Sequence, residues 1–364
     1  MSGPAEGRDA MGLRGWSPAA VIGAAGWVRN GGRAEVGGSE EGDRTGEAER
    51  RRSRRGRLRR TLLAALLMGA VVVPLSAAVR PRIPAPAPAA LAPLSVATLN
   101  ATYRANRADA AEASRTAAAH GDRGRAAKDR ALASPARDLL AFDGRGTGRA
   151  TEVFGDLATA RRIAVLVPGS DTTLDTYDRL RSGARNLHRA VGGSTAVIAW
   201  LGYDTPRTLS TGALTTTGAE RAAPLLERFV GELRGALGPA PRISLLCHSY
   251  GTAVCARAAS ADVQDVVLLG SPGTGLDSVA DLHTRARVWA ARGSGDWIAD
   301  VPHLRVDLFG TTVGFGTDPV SPAFGARVFA AGDGGHSDYF APASGCLAGL
   351  ARIVLGRTPE VPRA

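Results

Sequence analysis

The chain has 364 residues, 44% of them hydrophobic and 5% aromatic, and a formal net charge of +11. That length accommodates one large α/β domain with an extension, or two domains. Residues 1–60 hold 13 Arg against 8 acidic residues, with an Arg run at Arg51–Arg60. The rest of the chain has no basic run beside aromatics, so its charge does not describe a nucleic-acid-binding protein. Three cysteines, Cys247, Cys255 and Cys346, are too few for a disulfide framework, leave at least one thiol unpaired in a monomer, and do not specify which two would bond. No Cys/His grouping has metal-ligand spacing, so no metal or organic cofactor is expected.

In chain order, residues 1–60 read as a disordered, Arg-rich N-terminal region. The apolar stretch 61–78 follows the Arg run directly and ends with the small residues Ser76 and Ala78. That layout is a signal-peptide h-region or a signal anchor, and it predicts a protein that is secreted or membrane-anchored with its main domain outside the cytoplasm. Residues 79–93 form a Pro/Ala linker. Residues 94–137 have helical composition with a break near Gly121–Gly124, which predicts two helices lying before or against the main domain. From 138 to 357 short apolar runs alternate with helical segments, and 358–364 is a tail.

Within 138–357 the predicted strands are Leu139–Phe142, Thr151–Phe154, Ile163–Val167, Ala196–Trp200, Ile243–Cys247, Val266–Leu269 and Val288–Ala291, with a further candidate at Leu304–Leu308. Predicted helices cover about 174–191, 218–237, 251–259 and 345–355. In the second of these, Ala222, Leu226, Phe229, Val230, Leu233 and Leu237 share one face. Strands alternating with helices predict an α/β fold, with a mostly parallel sheet covered by helices on both faces.

The chemistry centres on Ser249 in Leu245-Leu-Cys-His-Ser-Tyr-Gly251. A serine hydroxyl needs a base to take its proton and donors to hold the developing oxyanion. A strand-to-helix turn flanked by small residues supplies the exposure. Here an apolar strand precedes Ser249 and a helical stretch follows Gly251, although Cys247 stands where Gly is usual. The base is expected last in chain order, and His336 in the Gly-rich loop Gly332–Tyr339 fills that place. Of the other histidines, His120 and His188 precede Ser249 on predicted helices, His248 adjoins it as a structural residue, His283 lies on a predicted helix, and His303 sits before a candidate strand. Asp296, just after the strand Val288–Ala291, is the expected acid that orients the imidazole; Asp300 and Asp318 are its rivals. The oxyanion donors would be the N–H of Tyr250 and that of Gly169 or Ser170, in the loop after Ile163–Val167.

The blocks Val167-Pro-Gly-Ser170, Trp200-Leu-Gly-Tyr-Asp204, Cys247-His-Ser-Tyr-Gly251, Gly270-Ser-Pro-Gly273, Asp296-Trp-Ile298, Val301-Pro-His303, Thr317–Ala326 and Gly335-His336 carry a resemblance. In these blocks, across about 139–357, the chain resembles actinobacterial α/β-hydrolase-fold proteins catalogued as a domain of unknown function. The resemblance implies the α/β-hydrolase fold and a hydrolase activity, counts the Cys-for-Gly exchange at Cys247 among the group's features, and supplies no substrate. It also draws attention to the block around Asp318 as a cap or pocket wall. The expected protein is therefore an exported serine hydrolase acting on a small-molecule or lipid-like acyl substrate. The competing expectation is a catalytically silent binding or structural protein at the cell surface that keeps the fold.

Overall fold

The computed structural model describes residues 84–364 apart from 302, 304 and 309–310. The expectations for 1–60, for the apolar segment 61–78 and for the start of the linker fall outside the described residues. Residues 84–94 are irregular, as a Pro-rich stretch without ladder donors requires.

Helices α1 (Leu99–Ala119) and α2 (Arg123–Leu132) come first, separated at Gly121. Gly121 takes the left-handed backbone, φ +89°, that lets the chain reverse, and the Asp122 side chain accepts from Arg125 N–H to cap α2. Strands β1 (Asp138–Asp143), β2 (Arg149–Phe154), β3 (Arg162–Val167), β4 (Thr195–Leu201), β5 (Arg242–His248), β6 (Asp265–Leu269), β7 (Arg287–Ala291) and the two-residue β10 (Arg327–Val328) build one sheet in the order β1-β2-β4-β3-β5-β6-β7-β10. β2 runs against both its neighbours and every other pairing in the sheet beyond it is parallel. A separate antiparallel pair, β8 (Arg305–Leu308) with β9 (Thr311–Gly314), stands apart from this sheet.

The central strands are buried along almost their whole length, so they read as continuous apolar runs. Their side chains alternate between two cores. Ile163, Val165, Ile198, Leu245 and Val266 face one side with α4 (Thr217–Leu237) and α5 (Gly251–Arg257). Ala164, Leu166, Val197, Leu246 and Val267 face the other with α3 (Asp178–Val191) and α6 (Gly345–Val354). On α4, Ala222, Leu226, Val230 and Leu233 are buried and Phe229 and Leu237 half-buried, matching the face expected from the 3.6-residue period. Among the described residues no helix is long and apolar enough to cross a membrane.

Buried side chains on both helices fasten the pair to the domain. Asn106 of α1 donates to Leu139 O of β1 at 3.0 Å. Arg125 of α2, with 1% of its side chain exposed, is the larger anchor. Its guanidinium bonds both carboxylate oxygens of Asp175 (2.9 and 3.0 Å) and the carbonyls of Gly144, Gly146 and Thr147 at 3.1–3.3 Å. All these partners lie in the loops that lead into β2 and α3, so α2 braces the segment from which one wall of the central cavity rises. Truncation at this position leaves several half-buried acceptors without donors, each costly. Arg125→Ala is therefore expected to lower unfolding free energy by about 3 kcal/mol, read as a fall in the urea midpoint, with Arg125→Lys recovering only part.

Candidate active site

The end of β5 and the start of α5 form a sharp turn around Ser249. Ser249 has φ +53°, a left-handed conformation that costs a side-chain-bearing residue on the order of 1–3 kcal/mol. The surroundings impose it. Ser249 N–H donates to Leu269 O at the end of β6 (2.9 Å), while Ser249 O accepts from Thr252 N–H (2.9 Å) and the Thr252 hydroxyl (2.6 Å). Gly251 allows α5 to close on β3: a Cβ there would lie 2.5 Å from Pro168 O and 2.8 Å from Val167 O. Cys247, in the position where Gly is usual, is fully buried and disulfide-bonded to Cys255 on α5. The bond ties the strand before the turn to the helix after it. Cys346 is the free thiol, buried on α6.

Ser249, His336 and Asp296 come together from three separate segments. Ser249 Oγ is 2.9 Å from His336 Nε2, and His336 Nδ1 lies 2.9 and 3.0 Å from Asp296 Oδ1 and Oδ2. A carboxylate can only accept, so Nδ1 carries a proton and Nε2 is left as the acceptor for the serine hydroxyl. Asp296 follows β7, and its side chain is fully buried. Burial pushes its carboxyl up, but hydrogen bonds from His336, from Tyr339 and from Ile298 N–H more than offset this, so the group lies below the ordinary aspartate range. It is held as an anion.

Gly169 sits against the serine, where a Cβ would come within 2.6 Å of Ser249 Cβ. Gly169, Ser170 and Tyr250 all line the cavity over Ser249. The N–H of Tyr250 is at the opening of α5, where the first backbone donors have no partner within the helix. Its side chain turns away and is buried: the phenol accepts from Ala219 N–H and donates to Thr215 O, both at 3.0 Å.

Tyr339 was not singled out from the sequence, and His248 was read there as a structural residue. Tyr339, three residues after His336, donates its hydroxyl to Asp296 Oδ2 and accepts from Gly293 N–H at 3.2 Å. Its spacing from His336 was the available signal. His248, expected to be merely structural, has Nε2 2.7 Å from His336 O. A carbonyl oxygen accepts, so Nε2–H is the donor, and this bond holds the loop that presents His336. Its ring is 4.7 Å, centre to centre, from the His336 ring. Burial, followed by the charge of His336, pushes the His248 imidazole down to about 4, so it is neutral at neutral pH. Trp297, half-exposed, places its ring 4.8 Å from that of His336.

The remaining candidates lie elsewhere. Asp318 is engaged by Arg292 at 2.6 Å and accepts from Val320 N–H, and it does not line the cavity. Asp300 is exposed at the end of a short 3-10 turn. His283 is not on a helix interior but ends a 3-10 turn with φ +47°. His303 lies 3.8 Å from Asp318. Among the described residues no cluster of His, Cys, Asp or Glu could hold a metal ion.

A family model described as alpha/beta hydrolase matches residues 143–306, a span that contains Ser249 and Asp296. The chain is an α/β-hydrolase-fold protein. An uncharacterised protein of Mycobacterium tuberculosis is 33% identical over 259 residues, covering 61% of this chain and 39% of the relative. An uncharacterised protein of Mycobacterium bovis is 33% identical over 176 residues, covering 43% of this chain and 66% of the relative. This hydrolase-fold chain thus spans about two fifths of the length of the first of these. Among solved structures, an α/β serine hydrolase without lid from Xanthomonas campestris shares 18% identity at a TM-score of 0.40, over 62% of this chain and 95% of that one. A dienelactone hydrolase from Anabaena variabilis shares 17% at 0.41, over 59% and 93%.

The Tyr339–Asp296 contact has a pH signature. A carboxyl held below its unfolded range stabilises the fold above that range, and the contribution is lost as pH falls through the folded value. Tyr339→Phe removes one donor to the anion and leaves Gly293 N–H unpaired. The variant should be less stable at pH 7 by about 1–3 kcal/mol, and the gap to wild type should narrow as Asp296 is protonated, measured as urea midpoints from pH 7 down to 3.

Proposed function

We propose that the protein is a serine hydrolase that cleaves an ester, thioester or amide through an acyl-enzyme on Ser249. The observation that carries this reading is the unbroken hydrogen-bonded chain from Ser249 Oγ through His336 to the buried Asp296. Ser249 Oγ attacks the acyl carbon as His336 Nε2 takes its proton, and the N–H of Tyr250 with that of Gly169 or Ser170 hold the oxyanion. Collapse expels the leaving group, which receives the proton from His336. A water, deprotonated by the same nitrogen, then releases the acid and restores the serine. Asp296 keeps Nδ1 protonated and stabilises the imidazolium formed in each half.

The substrate would be a small-molecule or lipid-like acyl compound. The cavity over Ser249 is about 850 Å³ and is walled by apolar side chains such as Leu180, Leu214, Trp297 and Phe340, a size and character suited to a small-molecule ligand. Export is part of the proposal. The Arg run followed by the apolar segment 61–78 supports it, and the Cys247–Cys255 bond suits an oxidising compartment.

A fluorophosphonate probe tests the nucleophile. Labelling is expected on Ser249 and should vanish in Ser249→Ala; labelling that survives the change overturns the assignment. Asp296→Asn should cut ester turnover by about 10⁴-fold. A wild-type protein that neither labels nor turns over any ester or amide would instead favour the silent, binding role.

A further inference from the structure

We propose that Arg179 is the specificity residue of the cavity and receives a negatively charged group, a carboxylate or phosphate, carried by an otherwise apolar acyl substrate. The inference rests on the hydrolase reading above and names the substrate class for the same site.

One wall of the cavity is a single face of α3. Arg179, Ser182, Gly183 and Asn186, spaced i, i+3, i+4 and i+7, all line it. The face is fixed from the catalytic side, since Asn186 Nδ2 donates to Phe340 O at 3.0 Å and Phe340 packs on Gly183. Phe340 follows Tyr339, so the wall carrying Arg179 and the loop carrying His336 are one packed unit.

The charges around Arg179 are already committed. Asp178, its neighbour, pairs with Lys128 at 2.6 Å, and Arg181 pairs with the buried Glu152. Asp171, the acidic residue of the lining, accepts from Thr208 N–H. Arg179 itself makes no ion pair or hydrogen bond among the described residues.

Its position is also unfavourable in two ways. As the second residue of α3 it places a cation at the positive end of the helix dipole. Its charge also adds a small push against protonation of the His248 ring, which lies tilted beside the His336 ring. Arg179 is an exposed, unpaired cation in the lining of the cavity, open to a partner from solution. An anion delivered by the substrate offsets both effects at once, in a cavity that also presents the apolar side chains Leu180, Leu214, Trp297 and Phe340.

The test compares two esters that differ only in charge: mono-4-nitrophenyl suberate, which keeps a free carboxylate, and its methyl ester. Wild-type protein should favour the charged ester in kcat/KM by roughly tenfold to a hundredfold, the range expected for a charge-assisted contact. Arg179→Gln should erase that preference and Arg179→Lys retain part of it. Equal kcat/KM for the pair in wild type, or a preference that Arg179→Gln leaves intact, overturns the inference. A second measurement does not depend on turnover. Calorimetric titration of Ser249→Ala should show tighter binding of monomethyl suberate than of dimethyl suberate, and adding Arg179→Gln should abolish the difference. Absence of that difference overturns the anion site whether or not the wild type is active. Loss of fluorophosphonate labelling, by contrast, counts against the hydrolase reading alone.

Discussion

The left-handed backbone at Ser249 is the constraint on which the rest of the site depends. A serine does not adopt φ +53° without being held there, and three separate contacts hold it. Leu269 O takes its N–H, Thr252 takes its carbonyl, and the absence of a side chain at Gly251 lets α5 press against Pro168. The contacts come from the end of β6, from α5 and from the residue that follows β3, so the turn depends on the sheet order β3-β5-β6 as well as on the five-residue motif. The Cys247–Cys255 bond lies across the same turn.

The acid–base pair is built on the opposite principle, in which burial is made tolerable by donors. Asp296 would be a costly buried charge if it stood alone. Three donors converge on it: the His336 ring, the Tyr339 hydroxyl and Ile298 N–H. Tyr339 and His336 come from the same short loop, so ordering that loop supplies two of the donors to Asp296. His248 closes the circuit by donating to the His336 carbonyl. The residue next to Ser249 thereby holds the segment that carries His336.

The cavity wall follows from the same economy of elements. α3 covers one face of the sheet with Ala184 and Leu187 and presents Arg179, Ser182, Gly183 and Asn186 to the cavity. α2 braces its approach through Arg125 and Asp175. The N-terminal helical pair therefore contributes to the shape of the site without touching the reacting groups.

Much of this was legible along the chain because it depends on local chemistry. Apolar runs such as Ile163–Val167 and Ile243–Cys247 are buried strands whatever surrounds them, and the face of α4 follows from its period. The strand, Ser249 and the small residue Gly251 give the turn its recognisable form. Order along the chain pointed to Asp296 and His336, which the fold brings within 3.0 Å of each other. Other features depend on distance in space and leave no local trace. Which cysteines bond is decided by α5 returning alongside β5. The service of His248 and Tyr339 exists only once the Gly332–Tyr339 loop folds over β5 and β7. The two-residue β10 is too short to register as a strand until β7 offers it a partner. The sequence determined the elements and the turn at Ser249, because those arise from neighbours along the chain. Tertiary structure decided which side chains surround the charge at Asp296 and which helix face walls the cavity, because those pair residues 40 and 43 positions apart at Asp296 and 154 apart between Asn186 and Phe340.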